Sequence, residues 1–405
     1  MKYLILIVLI VALFPFYCMA TNSTTTSMDT ILVIDDIQCS GNVSTACSFI
    51  ASHLYLSSGE QINEEEIHNA KLRLSSLTNF KSVDIHLEKG TQRGRVIIVI
   101  EVIESSPITK EAVIGTSSNN SSLGQKVIGR IGNQNLFGTG KILDLELGGK
   151  IPLAGPKQRD FSSRLQYTDP NLLESKKYFG TTGVSYQNSF YTYKNGGSND
   201  SRQFGLDLSL GRRLWDFSYL IIGYQHRPSS KTVEHYKNSN GTNEISTDSN
   251  KNVFLLNYGW NSEDDAYFPT KGSRFNISNA WLSSQKYNSV YKFALAYRTT
   301  WKTENNSILT FKLGGTPGTE YRQTLEEDLG ISLSYARLLS QNSFGGIERG
   351  RWYIEPGLVR FGHSSYDGYF IDPGLKVGIR FETEGFGVVD LYAIGSTEWR
   401  VGRNK

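Results

Sequence analysis

Apolar and polar residues alternate along most of the chain from about residue 112 onward. In the segment KILDLELGG, residues 141–149, leucines alternate with Asp144 and Glu146. A period of two is typical of a β-strand whose two faces meet different surroundings. Comparable segments recur toward the C-terminal end, separated by clusters of Gly, Asn, Asp and Ser, and they predict about 14–16 strands.

Two interpretations of this alternation compete, a soluble β-sandwich and a transmembrane β-barrel. The segments run to about ten residues or more, and residues 226–252 form a long polar excursion, both of which are typical of outer-membrane barrels. The polar face also carries charges that a sandwich core could not solvate but a hydrated lumen could. These are Asp144, Glu146, Arg164, Asp207, Lys292, Arg298, Lys312 and Arg380. We therefore predict an all-β antiparallel transmembrane β-barrel over residues 112–405, closed because lipid cannot satisfy an open strand edge.

Residues 31–106 follow a different pattern and predict a compact α+β unit with the order β-α-α-β-β. Residues 43–56 place Cys47, Ile50 and Leu54 on one helical face, with Ser44 or Thr45 as the candidate N-cap. Asn63, followed by three glutamates, predicts the start of a second helix, because acids suit the positive end of a helix. A strand in which Val83, Ile85 and Leu87 alternate with polar residues and a β-branched run from Val96 to Ile103 complete the unit.

The first twenty residues combine Lys2, an apolar run and a small-residue end at Ala20. This pattern predicts a secretory signal peptide at residues 1–20, followed by a polar linker at residues 21–30; an uncleaved anchor helix is the alternative. Two cysteines, Cys39 and Cys47, then remain in an exported chain. They are either a disulfide pair or two small buried thiols.

Composition and chemistry exclude several classes of function. The net charge of +3 comes without a dense Lys/Arg stripe, so no nucleic-acid partner is expected. The six histidines lack metal-ligand spacing, and no nucleophile-elbow or paired-Cys zinc pattern occurs. The sequence therefore predicts a protein that is not an enzyme and that needs no cofactor or metal.

Several short motifs occur in an order that resembles the BamA/TamA outer-membrane assembly family. The unit at residues 31–106 resembles a POTRA domain, the periplasmic module of that family. The resemblance in the barrel rests on NLFGTG at residues 135–140, TDP at 168–170 and a mid-barrel segment at 257–278. The residues that carry it are Asn135, Leu136, Phe137, Gly138, Gly140, Asp169, Pro170, Phe268, Pro269, Gly272 and Arg274.

The sequence departs from that family at two places. Members carry an Arg-Gly-Phe/Tyr tripeptide on a loop tucked into the lumen, whereas residues 314–330 contain no such tripeptide, and Tyr321 and Arg322 are the nearest substitute. Members also end on a closing strand with a terminal aromatic residue, whereas here Trp399 is followed by six mostly polar residues.

The resemblance implies an outer-membrane protein with its POTRA domain in the periplasm of a Gram-negative bacterium. It would assist insertion or translocation of unfolded β-rich clients, with accessory periplasmic or lipoprotein partners. A POTRA sheet edge could add a client strand, and this predicts client binding at Val83, Asp84, Ile85, His86 and Leu87, or else a merely solvated edge. A second template is predicted at the barrel seam, between residues 127–132 and 389–401.

Two other functions remain open at this point. The absent tripeptide favours a divergent barrel that acts as a passive pore or surface antigen. Secretion of one dedicated passenger, as in two-partner systems, is the third hypothesis.

Overall fold

The computed structural model of the protein describes twelve stretches of the chain. They are residues 32–119, 122–154, 158–192, 197–238, 241–284, 290–303, 305–321, 324–339, 347–364, 368–383, 387–396 and 399–401. The predicted signal peptide and polar linker lie outside these residues. In the described part of the chain, no helix is both long and apolar enough to span a membrane.

The N-terminal domain is a small sheet covered by two helices. Its elements are β1 (Leu32–Ser40), α1 (Cys47–Ser52), β2 (Gln61–Ile62), α2 (Glu64–Ser75), β3 (Phe80–Lys89) and β4 (Arg95–Glu104). The sheet order is β2-β1-β4-β3, with β1 and β4 parallel and the other pairs antiparallel. The observed order is β-α-β-α-β-β, and it differs from the predicted β-α-α-β-β order by the two-residue strand β2 between the helices.

Local sequence accounts for one helix start and not for the other. Asn63 caps α2 by accepting from the backbone N of Glu66 at 2.8 Å, and the Glu66 carboxylate accepts from the Asn63 N at 3.0 Å. This is a complete capping box. Helix α1 instead follows Ala46 without a side-chain cap, so the predicted N-cap at Ser44 or Thr45 is wrong. Those two residues bind a carboxylate elsewhere, as described below.

The core of the N-terminal domain lies between the sheet and the helices. Alternate residues of β4 are buried, and Ile98 and Ile100 are 1% and 0% exposed. They pack with apolar residues from β1, α1 and α2, among them Ile34, Ile50 and Leu74. The period-two pattern of β4 and the helical spacing of α1 and α2 thus meet in one apolar cluster.

The rest of the described chain forms one large sheet. Its strands are β5 (Ile108–Asn119), β6 (Ser122–Leu136), β7 (Lys141–Ala154), β8 (Gln158–Asp169), β9 (Tyr178–Thr192), β10 (Ser198–Trp215), β11 (Ser218–Asn238), β12 (Gly241–Asn261), β13 (Gly272–Ser284), β14 (Val290–Lys302), β15 (Ser307–Tyr321), β16 (Thr324–Leu338), β17 (Ile347–Ser364), β18 (Gly368–Thr383), β19 (Gly387–Ser396) and β20 (Trp399–Val401). Both β19 and β20 pair with β18, at successive registers, so β20 continues the line of β19.

Strands β5 to β19 close into a fifteen-stranded barrel, within the predicted range. Consecutive strands are antiparallel, but β19 closes on β5 as a parallel pair, from Val388 opposite Glu111 to Gly395 opposite Ser118. The prediction of a wholly antiparallel barrel is therefore wrong at the closure. Strand direction alternates along a meander, so an odd number of strands brings two strands of the same direction together.

The structure also corrects the predicted seam. The first barrel strand is β5, which begins at Ile108, before the predicted start at residue 112. Residues 127–132 belong to β6, which pairs with β5 and β7 and therefore does not face the last strand. The sequence pattern did not predict the start of β5, because Val113 and Gly115 occupy positions of this strand that face the lumen. Apolar and polar residues therefore alternate only weakly in β5.

The two faces of the barrel wall differ as the alternation predicted. Large apolar side chains of the wall are exposed on the outside, and Leu206, Leu208 and Leu210 of β10 are 42%, 57% and 56% exposed. The intervening polar side chains face the lumen and form ion pairs there, for example Arg164 with Asp207 at 3.3 Å. The N-terminal domain sits at one end of the barrel, which we call the proximal end; the other end is the distal end.

Candidate functional site

Strand β3 forms one edge of the N-terminal sheet. It pairs with β4 from Phe80 opposite Glu104 to Lys89 opposite Val96, and among the described residues no strand pairs with its other side. The predicted client-binding residues Val83, Asp84, Ile85, His86 and Leu87 lie in the middle of this edge. Val83 is buried against the core, whereas Asp84 is exposed and is ion-paired with Lys71 at 2.6 Å. The opposite edge, β2, is only two residues long.

The NLFGTG motif forms the proximal turn between β6 and β7 and packs against the N-terminal domain. Asn135 is 8% exposed; its side chain donates to Thr45 Oγ1 at 2.9 Å and accepts from the Gly140 N at 2.9 Å. The Ala46 N donates to the Gly138 carbonyl at 2.8 Å. These bonds fix the turn on the loop that precedes α1.

The glycines of this turn are required by close approach. Gly140 has φ +68, and a Cβ there would lie 2.0 Å from the ring of Phe49 in α1. Gly138 has φ +73, and a Cβ there would lie 2.6 Å from the Ser44 carbonyl oxygen. Phe137, between them, is 92% exposed, and Leu136 ends β6. The motif thus acts as a docking surface for the N-terminal domain.

The loop that precedes α1, against which the NLFGTG turn packs, is itself held by a carboxylate and a disulfide. Glu104, at the end of β4, accepts from Ser44 N, Ser44 Oγ and Thr45 N at 3.0, 2.6 and 2.7 Å. Burial acts to raise the pKa of Glu104, but these hydrogen bonds outweigh it and hold the pKa below its usual value. Cys39 and Cys47, which flank the loop, are joined by a disulfide with their Cα atoms 5.7 Å apart.

A second docking contact joins α2 to the β10–β11 turn. Asp216 in that turn accepts from Arg73 at 2.7 Å and from Asn69 at 2.8 Å. Arg73 is 7% exposed, and its guanidinium also donates to the carbonyls of His53 and Leu54. A charge-assisted pair thus joins α2 directly to a proximal turn of the barrel.

His53 lies buried beneath the same contact. Its Nδ1 is 3.0 Å from the Phe49 carbonyl oxygen and 3.2 Å from Ser52 Oγ. Burial lowers the pKa of His53 to about 4, and the positive charge of Arg213 acts in the same direction. The side chain is therefore neutral at physiological pH.

The TDP motif lies at the proximal end between β8 and β9. Asp169 accepts from the backbone N of Asn171 at 3.0 Å and pairs with Lys141 at 3.4 Å. The Pro170 carbonyl accepts from Arg213 at 2.8 Å. Asn171 donates to Ser52 Oγ in α1 at 2.8 Å. The motif thereby shapes a turn that contacts the N-terminal domain.

The segment that connects β12 to β13, residues 262–271, is called the plug here. It contains the motif residues Phe268 and Pro269, and Gly272 and Arg274 follow in β13. Asp265 accepts from the backbone N of Tyr267 and of Phe268, each at 2.8 Å, and Asp264 accepts from the Thr270 N at 2.8 Å. The two adjacent aspartates thus stabilise the turns of this segment. Gly272, with φ +103, ends the plug where a Cβ would lie 2.2 Å from the Ser262 oxygen.

The plug crosses the proximal mouth to other sectors of the wall. Phe268 is 5% exposed, and the guanidinium of Arg349 in β17 lies 4.6 Å from its ring centre. The carbonyls of Pro269 and Tyr267 accept, at 3.3 Å each, from Arg351 of β17 and Arg380 of β18 respectively. Burial raises the pKa of Tyr267 to about 12, and the carboxylate of Glu111 on β5 adds to that effect. The plug therefore reaches toward the closing strands.

A buried carboxylate anchors the plug to the wall. Glu263 is 1% exposed and forms a bidentate pair with Arg298 of β14, with both distances 2.6 Å. The motif residue Arg274 lies 3.3 Å from the same carboxylate. Two arginines on one buried carboxylate compensate its charge, which is the condition for keeping an ionised group out of water.

A cavity of about 480 Å³ lies where the N-terminal domain, the plug and the barrel closure meet. Its lining includes Phe80 and Lys81 at the start of β3, Tyr267 of the plug, and Val388 at the start of β19. Lys81 spans one side of this cavity by pairing with Glu348 at 3.1 Å. The start of β3 and the start of β19 thus line the same cavity, whereas the edge residues 83–87 do not.

Other predicted features have less support. Tyr321 is the last residue of β15 and pairs with Thr324 of β16, so it lies in a strand rather than in a lumen loop. Arg322 lies outside the described residues, and a lumen role for it stays a prediction. Within the described ranges, no cluster of His, Cys, Asp or Glu is arranged to hold a metal ion. The sequence patterns did not identify Arg73 and Asp216, which no short motif marks, nor Glu263, which lies within the mid-barrel segment at 257–278 but was not singled out.

Comparisons with known proteins agree with this geometry. A family model described as the Omp85 superfamily domain matches residues 135–335. CdiB from Escherichia coli is similar in structure, with a TM-score of 0.54 and 10% identity over 87% of this chain and 70% of that chain. CdiB from Acinetobacter baumannii gives 0.51 and 11%, over 91% and 74%. BamA from Haemophilus ducreyi lacking POTRA domains 1-3 gives 0.48 and 13%, over 92% and 82%.

Proposed function

The chain belongs to the Omp85 superfamily, a family of β-barrel insertases and translocators, and on that premise we propose that it binds unfolded β-rich client proteins and assists their insertion or translocation. This agrees with the BamA/TamA-type membership that the sequence motifs indicate. The barrel is proposed to lie in an outer membrane. The N-terminal domain is proposed to be a single POTRA domain that lies in the periplasm. A signal peptide at residues 1–20 is proposed to direct export and to be cleaved.

The observation that carries this proposal is the open edge of β3. An edge strand presents unpaired backbone donors and acceptors, and an extended client segment can add to it through main-chain hydrogen bonds. Such binding has little sequence preference, which suits clients that are unfolded and diverse. The start of the edge strand, at Phe80 and Lys81, lines the cavity at the barrel mouth, so a segment captured at that end would lie next to the seam. Accessory periplasmic or lipoprotein partners remain part of the proposal.

The alternative of a passive pore or surface antigen has less support. The plug crosses the proximal mouth, and the N-terminal domain packs over the turns at residues 137–140, 170–177 and 216–217. A lumen covered in this way does not favour steady conductance. Secretion of one dedicated passenger would use the same β3 edge and the same seam. This hypothesis differs from the proposed function only in the number of client proteins.

Depletion of the protein tests the proposal. We expect lower amounts of other barrel proteins in the outer membrane, measured by quantitative mass spectrometry of membrane fractions. A photo-crosslinker at His86 in the β3 edge should capture client segments, whereas the same crosslinker at Gln61 in the short β2 edge should capture few. Unchanged barrel proteins, together with conductance in planar bilayers, would favour the passive pore.

A further inference from the structure

A second, smaller cavity lies inside the barrel, on the side of the later strands. Its volume is about 70 Å³, which is room for a few water-sized groups. Pro269 of the plug lines one part of it, and strands β14 to β19 supply the rest of its described lining. Several polar residues of this lining are buried, and Thr300, Ser334 and Asp390 are 2%, 6% and 3% exposed. The cavity is therefore largely shielded from bulk water.

The lining of this cavity carries more positive than negative charge. Among its described residues five are basic and two are acidic, namely Arg298, Lys312, Arg351, Lys376, Arg380, Glu355 and Asp390. Three of the basic side chains have a carboxylate partner. These pairs are Lys312 with Glu355 at 2.5 Å, Arg380 with Asp390 at 2.6 Å, and Arg298 with Glu263 of the plug at 2.6 Å. Arg351 and Lys376 are left without a carboxylate of their own.

Arg351 has the least compensated charge of this set. In the register of β17 and β18 it lies directly opposite Arg380, and like charges directly opposed in a sheet are destabilising. Its hydrogen bond to the plug goes to an uncharged acceptor, the Pro269 carbonyl, at 3.3 Å. Its guanidinium lies 5.8 Å from the ring centre of Phe268. Within the described part of the chain it forms no ion pair with a carboxylate.

Lys376 contacts aromatic rings and shares a carboxylate with another lysine. Its Nζ lies 4.0 Å from the ring centre of Tyr392 and 5.2 Å from that of Tyr353. It also lies directly opposite Glu355, but that carboxylate already accepts from Lys312 at 2.5 Å. One carboxylate beside two ammonium groups leaves one positive charge without a counter-charge. Together with Arg351, Lys376 therefore gives the cavity a positive surplus.

We propose that this cavity binds a small inorganic anion of the size of chloride between Arg351 and Lys376. A charge held away from bulk water needs an opposite charge close to it, and a monatomic anion fits a space of this volume. The hydroxyl groups of Thr310 and Ser334 line the same cavity and can donate hydrogen bonds to the ion. Because Arg351 also donates to the plug, the anion would join the plug to β17 and β18.

The stability of the full-length protein in lipid vesicles tests this site. Chloride is varied at constant ionic strength, and gluconate, an anion too large for the cavity, replaces it. We expect the urea midpoint, followed by tryptophan fluorescence, to rise with chloride, because a ligand that binds only the folded protein stabilises it. Above the dissociation constant, each tenfold rise in chloride should shift the unfolding equilibrium about tenfold toward the folded state.

Substitutions in the cavity separate anion binding from a purely structural role. Arg351→Met should abolish the chloride dependence and, in gluconate, should unfold at the same or a higher urea concentration than the wild type, because it removes an uncompensated charge. Arg351→Lys should keep the dependence. Ser334→Asp should remove the dependence and raise the midpoint in gluconate, because its carboxylate replaces the anion. The matched control is Arg164→Met, which removes a lumen arginine paired with Asp207 at 3.3 Å and should keep the wild-type dependence.

Crystals of the full-length protein grown with bromide in place of chloride locate the ion directly. We expect an anomalous scattering peak between Arg351 and Lys376. The absence of that peak, a urea midpoint that does not change with chloride, or an equal chloride dependence in Arg351→Met and the wild type would each overturn the proposal. Loss of the dependence in Arg164→Met would also overturn it, because it would indicate a diffuse effect of salt on the lumen charges. None of these readouts involves a client protein, so they are independent of the proposed function.

Discussion

The N-terminal domain and the barrel use the same strand pattern in opposite ways. In β3 the apolar residues of the alternating pattern face a core, and Val83 is 6% exposed. In β10 the apolar residues point outward, and Leu208 is 57% exposed. Their neighbours on the other face are polar in both strands. A period of two therefore identifies two unlike faces, and only the closure of the sheet decides which of them is inside.

The interiors differ accordingly. The N-terminal domain has a single apolar cluster, whereas the proximal half of the barrel is filled by the plug and by charged side chains from the wall, with Glu263 and Asp390 at 1% and 3% exposure. The N-terminal domain is stabilised by apolar burial, and the barrel interior by paired charges. Each region should therefore respond to a different kind of substitution.

The largest effect is expected at the buried carboxylate of the plug. Glu263→Gln leaves Arg298 without its bidentate partner, and removal of one member of a buried ion pair costs about 3–5 kcal/mol. We expect the urea midpoint of the full chain in vesicles, followed by tryptophan fluorescence, to fall accordingly. Asp200→Asn, which breaks an exposed pair with Arg202, should cost only about 0–1 kcal/mol. Equal losses would show that the plug charge is not buried in the membrane-inserted protein.

The second test applies one kind of truncation to both regions. Ile98→Ala should leave a cavity and cost about 2–5 kcal/mol. Leu208→Ala should cost less, because lipid tails fill the vacated volume and the cavity contribution disappears. Proteolytic susceptibility of the N-terminal domain reports on the first variant, and the urea midpoint of the vesicle-inserted barrel on the second. A large cost for Leu208→Ala would instead indicate protein packing on the outer face.

The third test is the acid stability of the N-terminal domain. The pKa of His53 is lowered from 6.5 to about 4, so between these values the unfolded chain binds a proton that the folded chain does not. Stability is present above pH 6.5 and decreases as the pH falls toward 4, by about 3 kcal/mol in all. The difference between wild type and His53→Gln, followed by pH-dependent proteolysis of the full chain, isolates this contribution. Parallel pH profiles would contradict a buried neutral histidine.

The smallest effect is expected at the joint between the two regions. Lys81 and Glu348 are 49% and 33% exposed, so Lys81→Met should change stability by only about 0–1 kcal/mol, less at high salt. Spin-label distances between the domains should widen more in Arg73→Met, because Arg73 is buried against Asp216. A wider distribution in Lys81→Met than in Arg73→Met would mean that the cavity side, rather than the Asp216 side, holds the domain in place.

Much of this architecture could be predicted because the information is local. The capping box at Asn63 is contained in four consecutive residues, and the alternation of leucines with Asp144 and Glu146 marks a strand between unlike solvents. The N-terminal edge residues 83–87 follow from element order alone. Short motifs indicated the family, although their physical roles as docking turn and plug did not follow from the motifs.

The sequence by itself determined, for most strands other than β5, which residues form them and which face is apolar, and it determined the division into two regions, because each depends on neighbours in the chain. Only the tertiary structure decided the parallel closure of β19 on β5, the ion pairs of Arg73 with Asp216 and of Glu263 with Arg298, and the burial of His53. These contacts join residues far apart in sequence. Their existence depends on the number of strands and on where each turn lies in space, and no local pattern carries that information.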